Sequence, residues 1–249
     1  MIPLKDNIPT DRFPYVTVAL IIANVIVYLL AVSHGGSIIS GPDAHEVVKY
    51  GAIPAALTHC LGKNEVIAGN QLLCANTGGM PTWQTIFTSM FMHASLFHIA
   101  GNMLFLWIFG NNVEDAMGRV KYVFFYILGG IAALALQVAI DRNSTVPTLG
   151  ASGAIAAVLG GYILLYPRAR VLTLVFIILF FTVIELPALV VLAIWFIVQA
   201  VFGAVNLTDP TGGGGVAYFA HVGGFLFGLT TVKLLATRRR PVPPRYPVY

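Results

Sequence analysis

A serine at the head of the run "GASGAIAAVLGGY" (residues 150–162) and a histidine at the head of "AHVGGFLFG" (residues 220–228) are the two side chains best placed to do chemistry. A serine hydroxyl is a weak nucleophile until a neighbouring base takes its proton, and neutral imidazole suits that task near pH 7. Ser152 would be the nucleophile and His221 its base. A tetrahedral intermediate also needs donors aimed at its oxyanion. His98 and Asn102, in "FMHASLFHIAGNMLF" (residues 91–105), are four apart and share one helical face. With the backbone N–H of Ser152 they are the candidate donors. His93 lies on another face and is assigned to ordering its loop.

Each of these residues also has a plainer reading. A serine at a helix start can be only an N-cap, and polar groups inside a membrane often do no more than bond a neighbouring helix. Gln137 and Gln199 could line a transport path, but no charged residue sits mid-span to couple an ion. Other hydrolytic chemistries fit poorly. "GASGA" breaks the G-x-S-x-G elbow at Ala154, which excludes a soluble α/β-hydrolase. The nearest approach to a zinc motif, "HEVVK" (His45–Lys49), lacks its second histidine, so no metal site is expected. Asp141 and Asp209 both fall in loops, so no intramembrane aspartate pair exists.

The elements that must position these residues are membrane helices. Hydrophobic residues make up 57% of the 249 and charged residues only 10%, far below the roughly one quarter of a soluble domain. Apolar runs of about 20 residues, the length that crosses a bilayer, are expected over Pro14–Val32, Leu96–Asn111, Tyr122–Ile140, Leu149–Tyr166, Ala188–Val205 and Val216–Leu235. The first run is too long for a cleaved signal and no A-x-A site follows it, so it is retained. The expectation is an all-α membrane protein forming one domain over residues 1–249, a bundle of six transmembrane helices with a long first outer loop at residues 34–84.

Charge decides what the run Val171–Ile184 does. With six spans, 11 of the 14 Lys/Arg residues fall in 1–13, 112–121, 167–170 and the segment from Lys233 onward, leaving only Lys49, Lys63 and Arg142 on the other side. That satisfies the positive-inside rule with both termini cytoplasmic. A seventh span would export "TRRRP" (Thr237–Pro241), so Val171–Ile184 reads as an interfacial or re-entrant segment, ended by Pro187. The parity matters, because only then do Ser152 and His221 enter the membrane from the same, outer side. The net charge of +4 then faces lipid headgroups and requires no nucleic acid. A bacterial plasma membrane is expected from the economy of the chain.

Small residues should let the two helices meet. Ser152, Ala156 and Gly160 form one stripe, Gly153, Ala157 and Gly161 the next, and Gly224 and Gly228 follow His221. Such stripes allow close backbone approach. Cys60 and Cys74 both lie in the outer loop and are expected to pair. The run Gly212–Gly215 before the last span reads as a flexible linker or a mobile cap, and residues 237–249 as a basic, Pro-rich tail.

Taken together, "HASLFHIAGN", "GASGA", "AHVGGFLFG" and the turn "GNNVEDAMGR" (Gly110–Arg119), in this order from about Trp83 to Gly228, resemble the rhomboid family of intramembrane serine proteases. The resemblance implies Ser152 as nucleophile, His221 as general base, and His98, Asn102 and the Ser152 N–H as oxyanion hole. It also implies a structural Glu114, no cofactor, and substrates that are transmembrane segments of other membrane proteins. A catalytically inactive relative that binds membrane clients is the alternative; both Ser and His are retained here, which favours the protease. Two positions depart from the family. The aromatic on which the imidazole stacks in some members is Ala156 here, leaving Tyr218 or Phe219 to serve. Trp83-Gln84 stands in place of a Trp-Arg pair.

Overall fold

The computed structural model describes residues 1–59, 66–68, 71–73, 80–177, 180–208 and 216–237. The paired cysteines expected at 60 and 74, the glycine run 212–215 and the tail beyond 237 lie outside the described residues.

Helices dominate, in the places the apolar runs mark. After strand β1 (Ile2–Asp6), helix α1 (Tyr15–Ser33) begins behind Pro14. A small paired unit, β2 (Gly36–Ser37) with β3 (Gly41–Pro42), leads to the short helices α2 (Ala44–Tyr50) and α3 (Pro54–His59). Within the long loop β4 (Val66–Ala68) pairs with β5 (Gln71–Leu73), and α4 (Thr85–Thr88) closes it.

The second expected span is one helical run in three parts: α5 (Leu96–Phe105), a π-helical turn at Leu106–Gly110, and α6 (Asn111–Met117). Gly118, at φ 81°, ends the run and admits α7 (Arg119–Ile140). Helix α8 (Ser152–Leu165), the hairpin β6 (Arg170–Ile177) and β7 (Phe180–Pro187), α9 (Ala188–Thr208) and α10 (Tyr218–Leu235) follow.

Among the described residues four helices are long and apolar enough to cross a membrane: α1, α7, α9 and α10. On α1 and α9 large apolar side chains such as Ile26, Leu30, Ile197 and Val201 are more than half exposed. In a water-soluble protein that surface would be a liability; here it is what lipid contacts. The shorter α8 is apolar all round and sits at the centre, every residue from Gly153 to Ile163 buried. That is the signature of a core helix.

The segment expected to be interfacial or re-entrant is a β-hairpin. β6 and β7 pair antiparallel from Arg170↔Pro187 to Ile177↔Phe180, and β1 adds on the other edge of β6 to give the order β1-β6-β7. The all-helical expectation is corrected to this extent. The run is dense in Val, Ile, Thr and Phe, which favour extended chain. A polar contact roots the sheet in the bundle: Asp6 Oδ2 accepts from Tyr162 Oη on α8 and from Asn112 Nδ2 on α6, both at 2.6 Å. A hairpin returns the chain to the side it left. The start of α8 and the start of α10 are therefore at the same end of the bundle, the parity the site requires.

Backbone contact between α8 and α10 is possible only because of their glycines. A Cβ built on Gly224 would fall on the carbonyl oxygen of Gly153, one on Gly228 on that of Ala157, and one on Gly160 on that of Phe225. The expected stripes thus mesh, Gly153 and Ala157 facing Gly224 and Gly228. On the opposite flank of α8, a Cβ on Gly129 of α7 would meet Ala157 Cβ at 2.5 Å.

Candidate active site

Helix α8 begins at Ser152, and its 14 residues span only about 21 Å at 1.5 Å per residue. That is short of the roughly 30 Å of a hydrocarbon core, so α8 alone does not reach from one face of the membrane to the other. Gly150, just before it, adopts φ 121°, a conformation closed to most L-residues.

Across the α8–α10 contact the Ser152 Oγ and His221 Nε2 lie 2.7 Å apart. Gln199 Oε1 on α9 sits 2.7 Å from the other ring nitrogen, Nδ1. The protons follow from the partners. The amide oxygen can only accept, so Nδ1 carries the hydrogen, and Nε2 is left with a lone pair for the serine O–H. This is the tautomer in which imidazole acts as a base toward Ser152.

His98 is set by its own cap. Ser95 opens α5, its hydroxyl accepting from the His98 N–H at 3.2 Å. The Ala94 N–H points at His98 Nδ1 at 3.4 Å, so Nδ1 accepts and Nε2–H is free to donate. Nε2 faces Gly150. A Cβ there would lie 2.9 Å from His98 Nε2 and 3.5 Å from Ser152 Oγ. A side chain there would crowd the imidazole, so glycine keeps this side of the cavity open between histidine and serine. One turn along α5, Asn102 Nδ2 is buried with no hydrogen-bond partner among the described residues. An unpaired buried donor is costly, and a site that must receive a negative oxygen gives it a use. Ser152, His221, His98 and Asn102 line one cavity of about 530 Å³, shared with Gln199 and Trp195.

His93, expected to order its loop, is fully buried. Its Nδ1 lies 3.2 Å from the Phe91 carbonyl and its Nε2 accepts from the Ala151 N–H at 3.5 Å. It ties the loop before α5 to the residue preceding Ser152. Burial, with His98 beside it, pushes its pKa down to about 3, so it stays neutral and keeps this bonding pattern.

Two residues on α9 were not assigned to the site by sequence reasoning. The ring of Trp195 lies 5.7 Å from that of His221 at an interplanar angle of 38°. With Ala at 156, this is the aromatic ring that lies against the imidazole. Tyr218, considered for that part, stacks on Phe202 instead. Gln199 was visible only as one more polar residue in a span. Nothing in one dimension joins it to His221, 22 residues away; Trp195 and Gln199 are four apart, though, so whatever touches one is within reach of the other. Gln137, the other candidate for a path, accepts from the Ala220 N–H at 3.2 Å and supports the start of α10.

Glu114 is buried at the opposite end. Its carboxylate accepts from the backbone N–H of Val16 and Thr17 at 3.0 and 2.8 Å and from Thr17 Oγ1 at 2.8 Å. A carboxylate at a helix N-terminus meets both orphan N–H groups and the positive end of the dipole. Glu114 thus holds the start of α1 to α6.

A helical membrane bundle whose buried central helix presents a serine to a histidine defines the class, and the comparisons define the family. The rhomboid domain profile matches residues 81–238, well over half of the chain, and the chain belongs to the rhomboid family. Over 166 residues it is 31% identical to the presenilin-associated rhomboid-like protein, mitochondrial, of Mus musculus, covering 62% of this chain and 40% of that protein. Over 96 residues it is 33% identical to rhomboid protein 1, mitochondrial, of Saccharomyces cerevisiae, covering 37% of this chain and 28% of that one. The match to rhomboid-like protein 11, chloroplastic, of Arabidopsis thaliana is 36% over 76 residues, 30% of this chain and 26% of the relative. The chain thus spans well under half the length of these relatives. Their organellar character overturns the bacterial plasma membrane expected from the economy of the chain.

Proposed function

We propose that this protein is an intramembrane serine endopeptidase that cleaves transmembrane segments of other membrane proteins. Ser152 is the nucleophile, His221 the general base, and His98, Asn102 and the Ser152 N–H the oxyanion donors. The observation that carries the proposal is the 2.7 Å approach of Ser152 Oγ to His221 Nε2 at a cavity that His98 and Asn102 also line.

The chemistry follows from the positions. As the Ser152 oxygen bonds to the scissile carbonyl carbon, its proton passes to His221 Nε2. The carbonyl oxygen becomes an oxyanion in the space beside Gly150, against His98 Nε2–H and Asn102 Nδ2–H. Collapse breaks the C–N bond, and His221 returns the proton to the leaving amine. Water, deprotonated by the same imidazole, then attacks the acyl ester, and His221 returns that proton to Ser152 Oγ as the carboxylic acid product leaves. Every proton is carried by the chain itself and the route uses no cofactor. A helical segment must unwind before its carbonyl reaches Ser152, because a helical C=O is already bonded and shielded. Segments with small or helix-breaking residues near the cut are the expected substrates.

The test is cleavage of a reporter transmembrane segment in liposomes by the natural chain, Ser152→Ala and His221→Ala. Activity in the natural chain and loss in both variants is expected. Equal cleavage by all three would sink the assignment. Labelling by a fluorophosphonate should likewise vanish with Ser152→Ala.

A further inference from the structure

We propose that Gln199 and Trp195, one turn apart on α9, are positioning residues for the base, so that the working unit is Ser152–His221–Gln199 with an amide where triad hydrolases have a carboxylate. The inference rests on the protease reading above and deepens it.

A neutral imidazole can carry its proton on either nitrogen, and only the Nδ1–H form is a base toward Ser152. The 2.7 Å contact to Gln199 Oε1 selects that form. When His221 takes the serine proton, the same contact holds the second N–H of the imidazolium. Rotation of the ring is opposed from the side by Trp195, 5.7 Å away, itself packed at 6.4 Å on Phe225 of α10.

The choice of an amide has a physical reason. No Asp or Glu lines this cavity among the described residues. A carboxylate held there would be ionised at a depth where charge is expensive, whereas an amide oxygen supplies the acceptor without a net charge. The support comes from a third helix. The nucleophile, the base and its positioning residues are thus on α8, α10 and α9, and the dyad is correctly oriented only when all three are in register.

The experiment uses the full chain in liposomes with the reporter segment, measuring kcat, KM, the rate of fluorophosphonate labelling and the pH profile for Gln199→Leu, Gln199→Glu, Trp195→Ala and Trp195→Phe. Loss of tautomer control costs up to about 10⁴-fold in triad enzymes. Gln199→Leu is expected to lower kcat and the labelling rate together by at least tenfold while KM stays within about twofold. Gln199→Glu keeps an acceptor and should recover most of that loss. Its acid limb should move to higher pH, because a carboxylate favours the imidazolium; the other groups facing the ring are Ser152 on α8, Trp195 on α9 and, across the cavity, His98 on α5. Trp195→Phe should retain activity that Trp195→Ala loses. Unchanged kcat and labelling in Gln199→Leu overturns the inference, as does a Gln199→Glu no better than Gln199→Leu. Ser152→Ala run alongside separates the two readings. If it is inactive while Gln199→Leu is normal, only the positioning role falls; if it cleaves like the natural chain, the protease reading falls and takes this one with it.

Discussion

Gly224→Ala should inactivate the protein while leaving it folded, and the reason can be worked from the α8–α10 contact. The added methyl would land on the Gly153 carbonyl oxygen and lie 3.2 Å from Ala156 Cβ. The first obstacle is backbone, which cannot swing aside, and carbon-to-oxygen contacts settle at about 3.3–3.6 Å. The helices must therefore separate by on the order of 1 Å. Overpacking of this kind costs about 1–3 kcal/mol, but Ala in place of a mid-helix Gly returns up to about 1 kcal/mol of helix propensity, so the net destabilisation is about 0–2 kcal/mol. The effect on the site is larger. Gly224 lies three residues beyond His221 on the same face, so the displacement is passed to the imidazole. An Oγ···Nε2 distance of 2.7 Å opened by about 1 Å is no longer a hydrogen bond. A misplacement of that size can cost about 10²-fold in rate. Reporter cleavage in liposomes should show kcat down by roughly that factor, with the thermal midpoint in detergent lowered by only a few degrees. A Gly224→Ala protein that cleaves within twofold of the natural chain would refute the claim that backbone approach sets the geometry of the pair.

Other expectations are as direct. Asn102→Ala removes one oxyanion donor and should lower kcat by about 10²–10³-fold with KM little changed; a loss confined to KM would assign Asn102 to substrate binding. Glu114→Ala strips three hydrogen bonds from a buried carboxylate site at the start of α1 and should destabilise by about 3 kcal/mol or more, read as a drop in thermal midpoint, with Glu114→Gln milder; an unchanged midpoint would remove that structural role. Asp6 gives a pH dependence. Burial raises its pKa from 3.8 to about 6, with the bond from Tyr162 opposing, so the stability linked to its neutral form is full below about pH 4 and is lost as pH rises through 6. Asp6→Asn keeps an oxygen for Tyr162 and Asn112 without the charge. It should match the natural chain near pH 4 and exceed it by up to about 3 kcal/mol at pH 8; a difference that does not grow with pH would contradict this.

Residue type and spacing alone carried a good deal. Apolar runs located the long helices to within a few residues, because a span needs length and hydrophobicity and little else. Small residues at three- and four-residue intervals marked the faces of α8 and α10 that touch, since close approach depends on what a side chain lacks. The parity argument from Lys and Arg put Ser152 and His221 at one end before any distance was known. Local composition could not announce β1 pairing with β6, because strand pairing between residues 2 and 174 is a long-range choice. The strand character of Val171–Ile184 was also masked, since an unbroken apolar run fits a buried strand, a helix or a membrane segment equally.

What only the tertiary structure decided is which groups meet at the imidazole. With Ala156 offering no ring, the aromatic beside His221 came from neither Tyr218 nor any other residue near it in the chain but from Trp195 on α9. Gln199 reached Nδ1 by the same route, and Gly150 opened the space facing His98 through its backbone angle and absent side chain. Those facts depend on how three helices cross. Crossing is set by side-chain volumes integrated along whole interfaces, and no local stretch of sequence contains it.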